Sequence, residues 1–237
     1  MGDPNVFIIE SLTRENENEK LMEGGIIKNI LNYYKKKTLY HYIRTKKELI
    51  NILNEFVKSE YKYLHFSCHA NEEYIDLTYD RISYSEFATI LGTKLKGKRV
   101  FFSSCLIAND NFAKEIFNKT ECLSIAGFSE SIYFHYSAVI WASFYTLIFD
   151  SNENKMPKDA IIFNLQKLSN TFLMDINYFQ RKDIIDLKLI PKSNFRKYSL
   201  TPDSESLEKE IEFLNNELEK KEKLMKILSR IKKDNKR

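Results

Sequence analysis

Tyr63-Leu64-His65-Phe66-Ser67-Cys68-His69-Ala70 and Arg99-Val100-Phe101-Phe102-Ser103-Ser104-Cys105 are the stretches from which the fold is read. Each is an apolar run of strand length that stops at a small polar residue and then delivers a reactive side chain, His69 in the first and Cys105 in the second. Open α/β folds gather their ligands at the carboxyl edge of the sheet. Two adjacent parallel strands ending this way are expected to set an imidazole beside a thiol. A neutral thiol is a weak nucleophile, and a neighbouring histidine favours its thiolate. Cys105 and His69 are therefore the candidate nucleophile and base.

Working outward, Val6-Phe7-Ile8-Ile9 is wholly apolar and reads as a buried strand. Ser11 to Glu19 reads as a surface loop, followed by a helix over 20–34 that is eased at Gly24-Gly25. Thr38 to Ile43 is rich in tyrosine and β-branched residues and reads as a second strand. Thr45, with Glu48 three residues on, forms a capping box, and Leu49, Ile52, Leu53 and Phe56 follow on one helical face. Then comes the strand ending at His69. Glu73 to Ile82 reads as a hairpin, Ser83 or Ser85 opens a helix, and Gly97-Lys98 turns into the strand ending at Cys105.

Further on, Asn109 caps a helix through Phe117, Cys122 to Ala126 is a strand, and Gly127 to Glu130 is a loop. Residues 134–149 form an apolar core helix and 156–172 an amphipathic one. Repeated strand-helix alternation predicts an α/β fold, a mostly parallel sheet with helices on both faces. Ile184 to Ile190 offers an edge strand. Pro202 and Ser204 mark a boundary, so 1–200 is read as one domain and 201–237 as a long C-terminal helix. Its stripe of Leu207, Ile211, Leu214, Leu218, Met225 and Leu228 suits a coiled coil or a docking arm.

His-Ala closing one strand and Ser-Ser-Cys closing the next resemble the signatures of caspase-like (clan CD) cysteine peptidases. Cys68 just before His69 is closest to the CHAT-domain protease branch. The resemblance covers the first 150 to 175 residues. It departs in two places: Ala70 replaces the usual glycine, and the gap from His69 to Cys105 is shorter than the ~50 residues of caspases. It implies a three-layer sandwich and a cysteine endopeptidase with a Cys105-His69 dyad and no cofactor. It further implies an oxyanion site at the backbone N–H groups of Cys105 and Ala70. In such folds the pocket for the residue before the cut is lined by the loops after the first strand and after the strand following the nucleophile. Those loops hold Glu10, Ser129 and Glu130, with Asp76 of the hairpin as a further acid. Acids without a nearby base suit cleavage after Arg or Lys. By analogy with CHAT proteases, an activator or sensor protein is the expected partner, in prokaryotic defence or regulated death.

Composition sets outer bounds. The chain has 237 residues, with 17 Phe and 14 Tyr, enough to bury a core without staples. Three cysteines, an odd number, do not make a disulfide framework, so a reducing compartment is expected. No apolar run reaches the ~18 residues of a membrane span, and Met1-Gly2-Asp3-Pro4 opens without a basic region and hydrophobic core. The expected location is the cytoplasm. A net charge of +4 is too small to argue for nucleic acid.

His41, His65 and His135 lack metal-ligand spacing, and no Gly-x-Ser-x-Gly elbow is present. Strand alternation turns Cys68 away from His69 into the core, and Cys122 reads as structural. Two rival readings remain. One is an inactive caspase-like scaffold that dimerises or docks through the C-terminal helix. The other is a nucleic-acid-binding regulator using Lys232, Lys233, Lys236 and Arg237.

Overall fold

Strands buried along almost their whole length decide the architecture, because a strand dry on both faces needs a helical layer on each side. The structure is a computed structural model that describes residues 6–59, 61–151 and 155–181. It runs β1 (Val6–Glu10), α1 (Arg14–Asn18), α2 (Glu23–Tyr33), β2 (Thr38–Tyr42), α3 (Lys46–Lys58) and β3 (Tyr63–Ser67). Next come β4 (His69–Ala70), β5 (Tyr74–Asp76), β6 (Arg81–Ser83), α4 (Tyr84–Leu91), β7 (Arg99–Ser103) and α5 (Asp110–Lys119). β8 (Ser124–Phe128), α6 (Phe134–Ser151), α7 (Lys158–Phe172) and β9 (Ile176–Gln180) complete it. The domain boundary at Pro202, the C-terminal helix and the Ile184–Ile190 strand lie outside the described residues.

The main sheet has the order β2-β1-β3-β7-β8-β9. β1 pairs in parallel with both β2 and β3, and β7 pairs in parallel with β3 and β8. β9 alone is antiparallel, closing the edge beside β8 with Phe128 opposite Ile176. In the β3–β7 pair Ser67 stands opposite Ser103, so both strands end level. A second, three-stranded antiparallel sheet, β4-β5-β6, begins one residue after the end of β3.

Successive residues of a strand point to opposite faces, and the two cores follow this rule. Phe7, Ile9, Leu64, Phe66, Val100 and Phe102 pack with Leu53 and Phe56 of α3, Phe87 of α4 and Phe112 of α5. Val6, Ile8, Phe101 and Phe128 pack with Ile27 of α2, Trp141, Phe144 and Tyr145 of α6, and Leu165 of α7. The result is the predicted three-layer α/β sandwich.

Several boundaries differ from the sequence reading, each for a local reason. Thr13 caps a short helix inside the stretch read as a loop, accepting from the Asn16 N–H. The helix read from Lys20 starts at Glu23. The strand read through to His69 stops at Ser67, because His69 and Ala70 change partner and join β5. The strand read as Cys122 to Ala126 is Ser124–Phe128, so Gly127 is inside a strand opposite Phe102. A side chain there is crowded, since a Cβ on Gly127 would lie 3.0 Å from the Phe102 carbonyl oxygen.

Candidate active site

Where β3 ends, the chain keeps hold of β7 for one more residue: the Cys68 N–H donates to the Ser103 carbonyl at 3.2 Å. Cys68 turns into the core at 4% exposure, with Sγ 3.2 Å from the Ser104 hydroxyl, and burial pushes its thiol up to about 12. His69, the next residue, turns the other way and is half-buried.

After Ser103 the chain leaves the sheet in a turn in which Leu106 has φ 55°. This left-handed conformation costs a branched residue on the order of 1 kcal/mol. The turn is held at both ends: the Leu106 N–H donates to the Glu130 carbonyl at 3.1 Å, and the Ala108 N–H to the Phe128 carbonyl at 3.0 Å. Asn109 then caps α5 by accepting from the Phe112 N–H at 2.9 Å. The turn leaves Cys105 half-buried at the carboxyl edge, its Sγ 3.4 Å from the Ile132 amide nitrogen and 3.5 Å from the Ile132 carbonyl.

Cys105 and His69 line one cleft of about 50 Å³. Cys68, Ser104, Ile132 and Phe134 form its sides, and Glu23, Ser103 and Ser137 share its lining. Phe134 meets the His69 ring edge-on at 5.1 Å. The other side of the ring is tied down, its Nε2 lying 2.8 Å from Asn16 Oδ1. That oxygen also accepts from the Thr13 hydroxyl at 2.8 Å. Burial lowers the His69 pKa below its usual value, against a smaller upward pull from Asp76, its partner across β4 and β5. At neutral pH the imidazole is therefore uncharged and able to accept a proton.

Glu23 is the functional-looking residue that the sequence reading misses. Only 2% exposed, it receives the Ser103 hydroxyl on Oε2 at 2.7 Å, and Ser103 in turn bonds Ser137. Its Oε1 has no hydrogen-bond partner among the described residues and lies 3.5 Å from His65 Nε2, whose Nδ1 meets the Tyr145 hydroxyl at 3.1 Å. The only local signal is an acid opening a helix before two glycines.

None of the four residues expected to contact substrate lines this cleft. Glu10 is sealed in: fully buried, it accepts from the Gly24 N–H at 3.0 Å and the Tyr40 hydroxyl at 2.7 Å. That corrects its expected place in a substrate pocket, because β1 ends under α2 and β2. Burial raises the Glu10 carboxyl to about 7. Asp76 pairs with Arg81 at 2.6 Å. Glu130 accepts from the Asp175 N–H, and the Ser129 N–H donates to the Asp175 carbonyl at 3.0 Å, so both brace the segment entering β9. Ala70 pairs with Ile75 across β4 and β5. Among the described residues no helix is long and apolar enough to cross a membrane, and no group of three or more His, Cys, Asp or Glu is placed to hold a metal ion.

No family model matches the chain, and no curated protein matches it. Among solved structures it is similar to an inactive zymogen C11 protease from Parabacteroides distasonis, with 12% identity and a TM-score of 0.54. That match covers 79% of this chain and 64% of the other. It is also similar to gingipain R, an Arg-specific cysteine proteinase, with 13% identity and a TM-score of 0.48 over 70% of this chain and 42% of that one. The chain thus spans less than two thirds of the length of either. The fold is the caspase-like α/β architecture of the C11 protease.

Proposed function

We propose that the chain is a cysteine endopeptidase of the caspase-like group, closest to the CHAT branch, working through Cys105 and His69. One observation carries the reading: in a protease fold, a thiol and an uncharged imidazole line the same cleft at the carboxyl edge of neighbouring parallel strands. The Cys105 S–H proton passes to His69 as sulfur bonds to the scissile carbonyl carbon and the carbonyl π pair moves to oxygen. Backbone N–H groups of Cys105 and Ala70 receive that oxyanion. As the C–N bond breaks, the imidazolium returns its proton to the leaving amine. Water then hydrolyses the thioester, again with His69 as base.

A basic residue before the cut is the proposed preference. Glu23 supports it as the carboxylate that lines the cleft. Regulation by a partner protein is proposed as well. Its support is the Ile132 peptide, which covers the Cys105 sulfur and leaves room for a few waters only. Displacing the 129–133 loop opens the site to a peptide. The setting proposed is cytoplasmic and prokaryotic, in defence or regulated death.

The same covered sulfur, with Ala70 in place of glycine, favours a second reading as an inactive caspase-like scaffold. A thiol-reactive peptide probe with Arg or Lys next to the warhead separates the two. Labelling of the wild type that is lost in Cys105→Ala supports the peptidase. No labelling of the wild type, even after limited proteolysis or with candidate activators, supports the scaffold.

A further inference from the structure

We propose that Cys68 is the resolving thiol for Cys105: once a hydroperoxide has oxidised the Cys105 sulfur, Cys68 closes on it in a reversible Cys68–Cys105 disulfide inside the cleft. The pairing of the two cysteines does not depend on the peptidase reading; the loss of cleavage that follows from it does.

The strand ends bring the two sulfurs together. β3 and β7 run side by side with Ser67 opposite Ser103, and the Cys68 N–H still donates to the Ser103 carbonyl at 3.2 Å. Cys68 therefore lies beside Ser104, its Sγ 3.2 Å from the Ser104 hydroxyl, and Ser104 is the residue before Cys105. Neighbouring strands lie about 4.8 Å apart and consecutive Cα atoms about 3.8 Å. The diagonal of those two steps falls inside the Cα separation of about 4.4–6.8 Å that a disulfide spans. Both cysteines line the same cleft of about 50 Å³, too small to hold their sulfurs far apart. The thiols also sense each other, since charge on Cys105 adds to the upward shift that burial gives Cys68.

Their surroundings give the two thiols different parts. Cys105 is half-buried, and its cleft admits a molecule the size of a few waters, so a small hydroperoxide reaches the sulfur. Cys68 is 4% exposed and burial keeps its thiol protonated, so oxidants pass it by until a sulfenic acid stands beside it. Proximity then replaces basicity as the source of rate. Cys122 is out of reach. It precedes β8, at the amino end of strands whose carboxyl ends carry Cys68 and Cys105, with its Sγ 3.2 Å from the Ser124 carbonyl.

The steps balance. With His69 taking its proton, the Cys105 sulfur attacks the terminal oxygen of the hydroperoxide. The S–O bond forms as the O–O bond breaks, and the alcohol or water leaves with the proton. Sulfur gives up two electrons and the peroxide takes them. The Cys68 sulfur then attacks the Cys105 sulfur: the S–S bond forms, the S–O bond breaks, and hydroxide departs as water with the Cys68 proton. A small dithiol reverses the change by exchange. Such a transient bond suits a reducing compartment and spares Cys105 irreversible over-oxidation.

The test treats the full chain with hydrogen peroxide, alkylates the remaining thiols under denaturing conditions and maps the digest by mass spectrometry. The wild type is expected to give linked peptides carrying Cys68 and Cys105, two hydrogens lighter than their sum and separated by dithiothreitol, with Cys122 alkylated. In Cys68→Ser, labelling of Cys105 by dimedone, which traps sulfenic acid, is expected to rise about ten-fold over wild type, followed by sulfinic acid. In peptide cleavage, dithiothreitol is expected to return most of the activity to peroxide-treated wild type and less than about a tenth to Cys68→Ser, each against its own untreated rate. Should Cys68→Ser not fold, Cys68→Ala takes its place, and the wild-type map needs no variant.

A Cys105 that stays reduced, a Cys68 still fully alkylated after Cys105 has been oxidised, or a Cys105 linked to Cys122 or to a second chain overturns the proposal. So does equal dimedone labelling in wild type and variant. If the wild type cleaves nothing yet the linked peptides form, the cysteine pairing stands and the peptidase reading fails.

Discussion

Glu10 and His69 both lose water on folding, and because burial favours the uncharged form of each, the consequences for pH run in opposite directions. Folded Glu10 titrates near 7 instead of 4.5, so between those values the native state holds a proton that the unfolded state has released. Stability from this group is full at acid pH and falls as pH rises from 4.5 to 7, by about 3 kcal/mol. Glu10→Gln removes the charge, keeps the Gly24 bond through its carbonyl and turns its NH2 to donate to the Tyr40 oxygen. It is expected to gain on the order of 2 kcal/mol in urea unfolding at pH 8 and nothing at pH 4; equal gains at both would show that packing, not charge, is responsible. His69 is the opposite case in chemistry: its folded pKa lies below 6.5, so the unfolded state binds the proton first. Its contribution is complete above 6.5 and lost on acidification below that value. Both effects make neutral to weakly acid solution costly for one group or the other. In cleavage, the uncharged His69 is expected to sustain kcat/KM below pH 6.5 before the acid limb sets in. A limb centred above 6.5 would mean that a carboxylate, not burial, governs the ring.

At the scale of elements, the site depends on how tightly β7 and β8 approach and on the turn that follows β7. A methyl at Gly127 meets the Phe102 carbonyl at 3.0 Å and the Ile107 Cγ2 at 3.2 Å, neither of which is the loose end of a long side chain. Gly127→Ala is expected to cost 1–3 kcal/mol and to disturb the turn that carries Cys105; an unchanged melting temperature would show that the strands can separate freely. Leu106 tests the turn itself. Leu106→Gly removes the left-handed strain at the price of chain entropy and is expected to be neutral or slightly stabilising. Leu106→Val, β-branched at the same φ, is expected to lose at least about 1 kcal/mol. The capping box at Thr45 and the strand ends before Cys105 and His69 are legible because they depend on neighbours in sequence. Gly127 is not: Gly-Phe-Ser-Glu has turn composition, and only the pairing with Phe102 makes it strand.

In the whole molecule, one sheet joins two cores, with Phe87 on one side and Trp141, the sole tryptophan, on the other. Phe87→Ala is expected to cost 3–5 kcal/mol. It should shift the melting curves from Trp141 fluorescence and from far-UV circular dichroism by the same amount. A Trp141 transition left in place would mean that the two layers unfold independently. The order of apolar strands and amphipathic helices, and so the layered α/β fold, is set by the sequence alone, because periodicity records which side of each element must be dry. Cys105 and His69 stand out for the same reason, as reactive residues at the ends of dry runs. What surrounds them was decided by the tertiary path. Asn16 reaches His69, Glu23 reaches Ser103, and Glu10 is closed over by Tyr40 through contacts between distant segments. No local pattern encodes such contacts, since they depend on where the loops bring the chain back.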